Sequence, residues 1–208
     1  MSEHHESGAC CVAELIAQLG RVAYGDGFVE GLTPAQWTVL RFFLRANRFS
    51  RTASAFAEFH GTTRGTASQT IKSLVAQHYL TRTRSEADGR SARLDLTSKA
   101  EAILAHDPFA ALIGAASGLP PKTLGSLAAA LQRMLGHVSR ARGKRPFGRC
   151  TACAHLGGDG CCREGQPAYE CRFMGEALQP AEIELICINF EPGKSSAMRN
   201  TFGGPTGR

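Results

Sequence analysis

The chain has 208 residues, of which 43% are hydrophobic and 7% aromatic, and a formal net charge of +6. That is room for one full domain plus a small appendage. No stretch approaches the roughly 18 consecutive apolar residues of a membrane span, and residues 1–6 do not form a basic leader before an apolar run, so the expected compartment is the cytoplasm, with no membrane partner. Thiols stay reduced there, which points the eight cysteines toward metal or redox chemistry rather than disulfides.

Val12, Leu15, Ile16, Leu19 and Val22 repeat at helical spacing and predict a first helix near 9–24. A second helix opens at Thr33, where Thr33 and Gln36 make a capping box, Pro34 suits the first turn, and Leu32 and Trp37 are spaced for a hydrophobic staple. It runs to about Ala46. A third helix is predicted near 51–60, ended by Gly61. A fourth starts at the cap Thr63 and turns Ala67, Ile71, Leu74 and Val75 inward. Residues 80–96 read as a β-hairpin with Asp88 and Gly89 in its turn. Thr97 caps a fifth helix, which Pro108 breaks or kinks. A sixth begins near Pro120 and Pro121, with a narrow stripe of Leu124, Leu127, Leu131, Met134, Leu135 and Val138 that suits either core or a subunit interface. Residues 140–146 read as a linker, and 194–208 as a loose polar tail. The string LQPAEI at 178–183 echoes LTPAQW at 32–37 and predicts a short helix near Pro180.

Charge is unevenly spread. Residues 41–94 hold ten arginines and lysines against three carboxylates, enough to account for the whole net charge. A basic stretch on a folded unit attracts polyanions, although an arginine-rich face also serves solubility alone. Helix, glycine turn, helix and basic hairpin is the layout of a winged helix-turn-helix, whose second helix enters the major groove of DNA. With Ala67, Ile71 and Leu74 inward, Thr63, Arg64, Thr66, Ser68, Gln69 and Lys72 are left to face a duplex. Arginine chelates guanine, glutamine chelates adenine, and hydroxyls serve bases or phosphates. Arg82, Arg84, Arg90 and Arg93 lie on one short ribbon. Trp37, Phe42, Phe43 and Phe109 are read as core.

Residues 32–104 resemble the MarR family of bacterial regulators. LTPAQWTVL at 32–40 is similar to the family's second helix, GTTRGTASQ at 61–69 to its recognition-helix start, Asp88 and Arg90 to its wing tip, and LDLTSK at 94–99 to its exit. The resemblance implies a mainly α fold with a small β wing, a homodimer held by N- and C-terminal helices, and recognition helices in successive major grooves of a pseudo-palindromic double-stranded operator. It also implies that Asp88 positions Arg90 in the minor groove, and it usually means repression. The domain expectation is a dimerisation helix at 1–30, the winged unit at 31–98 and dimerisation helices at 99–141.

Residues 147–193 depart from that family. Six cysteines fall between 150 and 187, in the order Cys150, Cys153, Cys161, Cys162, Cys171 and Cys187. Cys150 and Cys153 at i and i+3 can bend around one metal, and at least two later thiolates must join them. The expected ligands are Cys150, Cys153, Cys171 and Cys187, with Cys161 or Cys162 as alternates. Cys187 sits in the apolar stretch 185–188, which also suits a core position. Surplus thiols and irregular gaps favour an iron–sulfur cluster, [4Fe–4S], over zinc. His155, Cys10 and Cys11 are read as non-ligands.

The expected function is a regulator whose cluster senses iron, oxygen or redox state. The module, placed just past the helix ending near Ser139, would act by shifting that helix. One rival is a regulator with structural zinc and an organic effector. The other is a redox enzyme or electron carrier, for which no nucleotide-binding glycine motif or nucleophile–base set is present.

Overall fold

The computed structural model describes residues 2–23, 29–84, 92–158, 160–161 and 167–193, with the side chains of 2–6 and 84 excepted. The helix order follows the sequence signals closely. Helix α1 (Ser2–Ala23) begins earlier than its apolar repeat. At α2 (Pro34–Arg45) the Thr33 hydroxyl accepts from the Gln36 amide and the Gln36 side chain accepts from the Thr33 amide, so both halves of the capping box form. A 3-10 turn (Arg48–Ser50) leads to α3 (Ala53–His60), capped at its start by Thr52. Gly61 closes α3 with a left-handed φ of 65°, a conformation that a side chain disfavours. Helix α4 (Arg64–Ala76) follows from the Thr63 cap.

Strands β1 (Leu80–Arg84) and β2 (Ala92–Leu96) pair antiparallel, with Leu80 opposite Leu96 and Arg82 opposite Leu94. Thr97 caps α5 (Ser98–Leu104). The fifth helix ends before Pro108, and beyond it a separate helix α6 (Ala110–Ser117) precedes α7 (Pro121–Ala141). The core gathers Leu32, then Trp37, Leu40, Phe42 and Phe43 of α2, with Ala55, Phe56, Ala67, Leu74, Leu80 and Leu94. Phe109 is only half-buried, beneath the Arg41 guanidinium.

His60 sits among the rings of Phe42, Phe56 and Phe59, at centroid distances of 6.3, 4.8 and 5.0 Å. The imidazole still meets solvent, yet desolvation beside those rings, and then the charge of Arg41, lower its pKa from 6.5 to about 4. The unfolded chain therefore takes up a proton in a range where the folded one does not. Stability is expected to be full above pH 6.5 and to fall as pH drops toward 4. Thermal melts across that window test it: His60→Gln, neutral throughout, is expected to flatten the dependence, and an unchanged slope would refute it.

After α7 the chain makes a small irregular module. Strand β3 (Gly148–Arg149) pairs with β7 (Ile186–Cys187), and β4 (Leu156–Gly157), β5 (Tyr169–Cys171) and β6 (Glu176–Leu178) form a three-stranded sheet. Gly148 is required by proximity: a Cβ there would lie 2.7 Å from the Phe190 ring. The predicted short helix near Pro180 is a single 3-10 turn, Glu182–Glu184.

The placement of this module corrects the expectation that it sits against the end of α7. It docks instead on the connection between α2 and α3. Ala46 bridges Ile186, the Asn47 amide donates to the Ile186 carbonyl at 2.9 Å, and the Ile188 amide donates to Ser50 Oγ at 2.8 Å. Arg48 reaches Glu182 at 2.9 Å and Glu176 at 3.1 Å, and Phe147 packs edge-on against Phe59.

Candidate nucleic-acid interface and cysteine centre

Helix α4 divides cleanly. Ala67, Ile71 and Leu74 are buried, which fixes the rotation of the helix on the core. Arg64, Gln69 and Lys72 are then exposed on the opposite side, as the spacing predicts. Thr63 and Thr66 are exposed too, but their hydroxyls already face each other at 2.9 Å, and Thr63 Oγ1 accepts from the Thr66 amide. Ser68 is half-buried on the flank rather than outward. Gly65 has open space around it, with Thr63 Oγ1 as the one neighbour a Cβ would meet, at 3.8 Å. Its smallness is therefore not demanded by the protein's own packing.

On the hairpin, Arg82 is exposed. The side chain of Arg84, together with Asp88, Arg90 and the wing tip that carries them, lies outside the described residues. Arg93 does not reach outward: it pairs with Asp95 at 3.0 Å. Arg51 meets the same carboxylate at 2.6 Å and donates to the Ala46 carbonyl at 3.1 Å. Burial raises the Asp95 pKa, but hydrogen bonds and charge from Arg51 and Arg93 outweigh it and hold the group below its ordinary value.

The basic stretch at 41–94 thus serves two ends. Arg41 (paired with Asp107 at 3.0 Å), Arg48, Arg51 and Arg93 brace the scaffold, while Arg64, Lys72 and Arg82 present charge to solvent. Sequence counting cannot separate these sets, because an arginine's partner is often far along the chain.

The cysteine module brings four of its thiols together. Pairing of Gly148 with Cys187 places β7 beside the Cys150–Ala152 turn, and pairing of Leu156 with Cys171 brings β5 to the same corner. Cys150, Cys171 and Cys187 are buried and Cys153 half-buried. Cys150 is within hydrogen-bond reach of Cys187, and it feels the charges of Cys153 and Cys171. The Cys150 hydrogen bond, with help from Asn47, Asn189 and Ser50, draws Cys187 down to about 6 against the effect of burial. The same bond, then burial, pushes Cys150 far up.

Cys161 is exposed, and Cys162 lies outside the described residues. His155 pairs with Glu191 at 2.9 Å and stacks near Phe173. Cys10 and Cys11 are exposed on α1.

Thiols are donors of the kind a thiophilic metal takes. Their present arrangement is looser than a ligand set: among the described residues no group of three or more His, Cys, Asp or Glu is positioned to hold an ion.

Sequence reasoning missed Asn47 and Ser50, both fully buried. Asn47 Oδ1 accepts from the Ser50 amide and hydroxyl at 3.1 and 2.8 Å. Its Nδ2 is buried with no hydrogen-bond partner. Nothing in the local sequence marks these two as other than loop residues.

The family model described as MarR family matches residues 30–91, which hold α2, α3, α4 and β1. Among solved structures, a MarR transcriptional regulator from Methanosarcina mazei Go1 is similar at 21% identity and a TM-score of 0.50, over 62% of this chain and 97% of its own. The transcriptional regulator BldR from Sulfolobus solfataricus is similar at 16% identity and a TM-score of 0.52, over 66% of this chain and 99% of its own. CouR from Rhodococcus jostii RHA1, solved bound to p-coumaroyl-CoA, is similar at 17% identity and a TM-score of 0.51, over 59% and 90%. No curated protein matches the chain. These likenesses establish a mainly helical winged-helix fold of the kind found in MarR-type transcription regulators. Among the described residues no helix is long and apolar enough to cross a membrane.

Proposed function

We propose that this chain is a DNA-binding transcription regulator of MarR type, not an enzyme, that acts as a homodimer and carries a cysteine-ligated metal centre. The observation that carries the reading is the face of α4. Its buried side is fixed by Ala67, Ile71 and Leu74, and Arg64, Gln69 and Lys72 are held outward with no structural work to do in the described unit. Arg82 extends the same charge onto the wing strand, and Arg84, Asp88 and Arg90 are proposed to continue it to the tip. Two-fold pairing would set two such helices one turn of duplex apart, roughly 34–36 Å.

The apolar faces of α1 and α7 supply the pairing surface. Leu15, Leu19 and Val22 on α1, with Leu127, Leu131 and Leu135 on α7, are exposed in the single chain, and α7 buries none of its residues. Apolar faces of this size on two long helices suit a subunit interface.

The test is duplex binding followed against salt. Log affinity is expected to fall linearly with log salt, with a slope of about −0.9 per phosphate neutralised. A salt-independent affinity, or none, would end this reading.

Cys150, Cys153, Cys171 and Cys187 are proposed to hold the metal. A [4Fe–4S] cluster accounts for the surplus of thiols. Structural zinc is the alternative, a single tetrahedral ion with thiolate bonds of about 2.3 Å. Anaerobic purification separates the two: absorbance near about 400 nm assigns the cluster, and a colourless protein with one equivalent of zinc assigns the ion. A metal-free anaerobic preparation that stays metal-free on reconstitution would refute both. An organic effector is the alternative signal, and a cavity of about 130 Å³ lined in part by Arg41, Phe42, Phe59, His60, Phe109 and Ile186 is one seat for it.

A further inference from the structure

To meet successive grooves in pairs, α4 must be held at one rotation and one tilt. Rotation is set by Ala67, Ile71 and Leu74, whose burial leaves the opposite face outward. Apolar contacts of that kind carry no direction, so by themselves they tolerate small tilts. Directed bonds hold the C-terminal half of the helix. Gln36 of α2, only 6% exposed, donates from Nε2 to Ser73 Oγ at 3.2 Å. Lys99 of α5 donates from Nζ to the Gln77 carbonyl at 2.9 Å, with its ammonium over the Tyr79 ring.

Gln36 uses both ends of its side-chain amide. Oε1 accepts from the Thr33 amide at 2.8 Å, which closes the cap of α2, and Nε2 reaches across to α4. The amide is planar, so fixing its acceptor end aims its donor end. Ser73 Oγ also accepts from Gln77 Nε2 at 2.9 Å, a bond within the same helical segment. A hydroxyl oxygen has two lone pairs, and both bonds stand together. The segment that follows α1 arrives at the same place. Val29 and Leu32 exchange backbone hydrogen bonds, Trp37 Nε1 donates to the Val29 carbonyl at 3.2 Å, and the Thr33 cap comes next. The exit from α1, the start of α2 and the flank of α4 thus meet around one buried side chain.

We propose that Gln36 is a positioning residue for sequence reading: its hydrogen bond to Ser73 holds α4 at the tilt from which Arg64 and Gln69 reach base edges. This rests on the reading of α4 as the recognition helix. Gln36 acts through Ser73 and touches no DNA. A helix able to rock still meets phosphates, because a long side chain such as that of Lys72 adapts to a backbone common to every sequence. A bidentate contact with one base edge does not adapt. A rocking helix must also be ordered as it docks, and that cost falls on the complex whose geometry is most exacting. Loss of the bond therefore lowers discrimination between sequences and spares general attraction to the duplex.

The quantity to measure is the ratio of affinities for a cognate duplex, selected by the wild-type protein from a random pool, and a scrambled one. Full-length protein is used at several salt concentrations. Ser73→Ala removes the acceptor, leaves the Thr33–Gln36 cap intact and puts a good helix former at an exposed site. It is expected to lower the ratio about 2- to 10-fold per half-site, the worth of one ordinary hydrogen bond, with the salt slope and melting temperature unchanged. Ser73→Thr keeps the hydroxyl and is expected to behave as the wild type. In a Gln36→Ala background, which has already lost the bond, Ser73→Ala is expected to lower the ratio no further. A wild-type ratio in Ser73→Ala, an equal loss on both duplexes, an equal loss in Ser73→Thr, or an undiminished effect in the Gln36→Ala background would each overturn the proposal. Wild-type protein with no salt-dependent hold on any duplex would instead end the reading of α4 on which it stands.

Discussion

Arg64→Ala is expected to weaken binding to the cognate operator by about 1–3 kcal/mol, or roughly 5- to 150-fold, and to relax preference at one base position. The reason is local. Arg64 is the first residue of α4, exposed, and held there by the Thr63 cap rather than by any ion pair of its own among the described contacts. Lys72, two turns further along and also exposed, is placed for a phosphate. Lys72→Ala is expected to weaken all duplexes alike and to reduce the salt slope by about one unit. Fluorescence anisotropy with cognate and scrambled duplexes at several salt concentrations measures both. Equal, small losses for the two variants on every sequence would mean that α4 does not read bases. Arg51→Ala would make a poor comparison, because that guanidinium braces the wing through Asp95 and its loss disturbs the fold of the interface itself.

Replacing Leu127 and Leu131 of α7 together with glutamate is expected to split the dimer and abolish operator binding at concentrations where the wild type saturates. Both side chains are well exposed in the single chain, so the winged unit has no packing to lose. In a dimer they would be buried, and two charges per protomer at the centre of an apolar interface cost at least about 2 kcal/mol each, or roughly 30-fold in dissociation constant per site. Sedimentation should show the wild type at twice the chain mass of 22.2 kDa and the variant at the single mass. A variant that stays dimeric would place the interface elsewhere. A monomer that still holds the full operator with wild-type affinity would remove the need for two-fold pairing.

The two experiments bear on different layers. The first asks what α4 touches, and the second asks whether two copies of it must be held at a fixed spacing.

Local signals carried most of the winged unit. The capping box at Thr33 and Gln36, the caps at Thr63 and Thr97, the left-handed Gly61 and the inward spacing of Ala67, Ile71 and Leu74 act within a few residues, so one sequence is enough to read them. Partnerships across long separations were beyond local reading. Arg48 finds Glu182, Arg51 finds Asp95, and the Asn47 amide meets the Ile186 carbonyl only because the chain folds back, and no periodicity encodes such pairs. Hence the basic stretch was read as one surface when part of it is internal bracing. The cysteine module, expected at the end of α7, is held instead by backbone pairing of Ile186 with Ala46 and Asn47. An exposed strand edge takes whatever donors and acceptors the tertiary fold sets beside it, and that choice is made in space, not along the sequence.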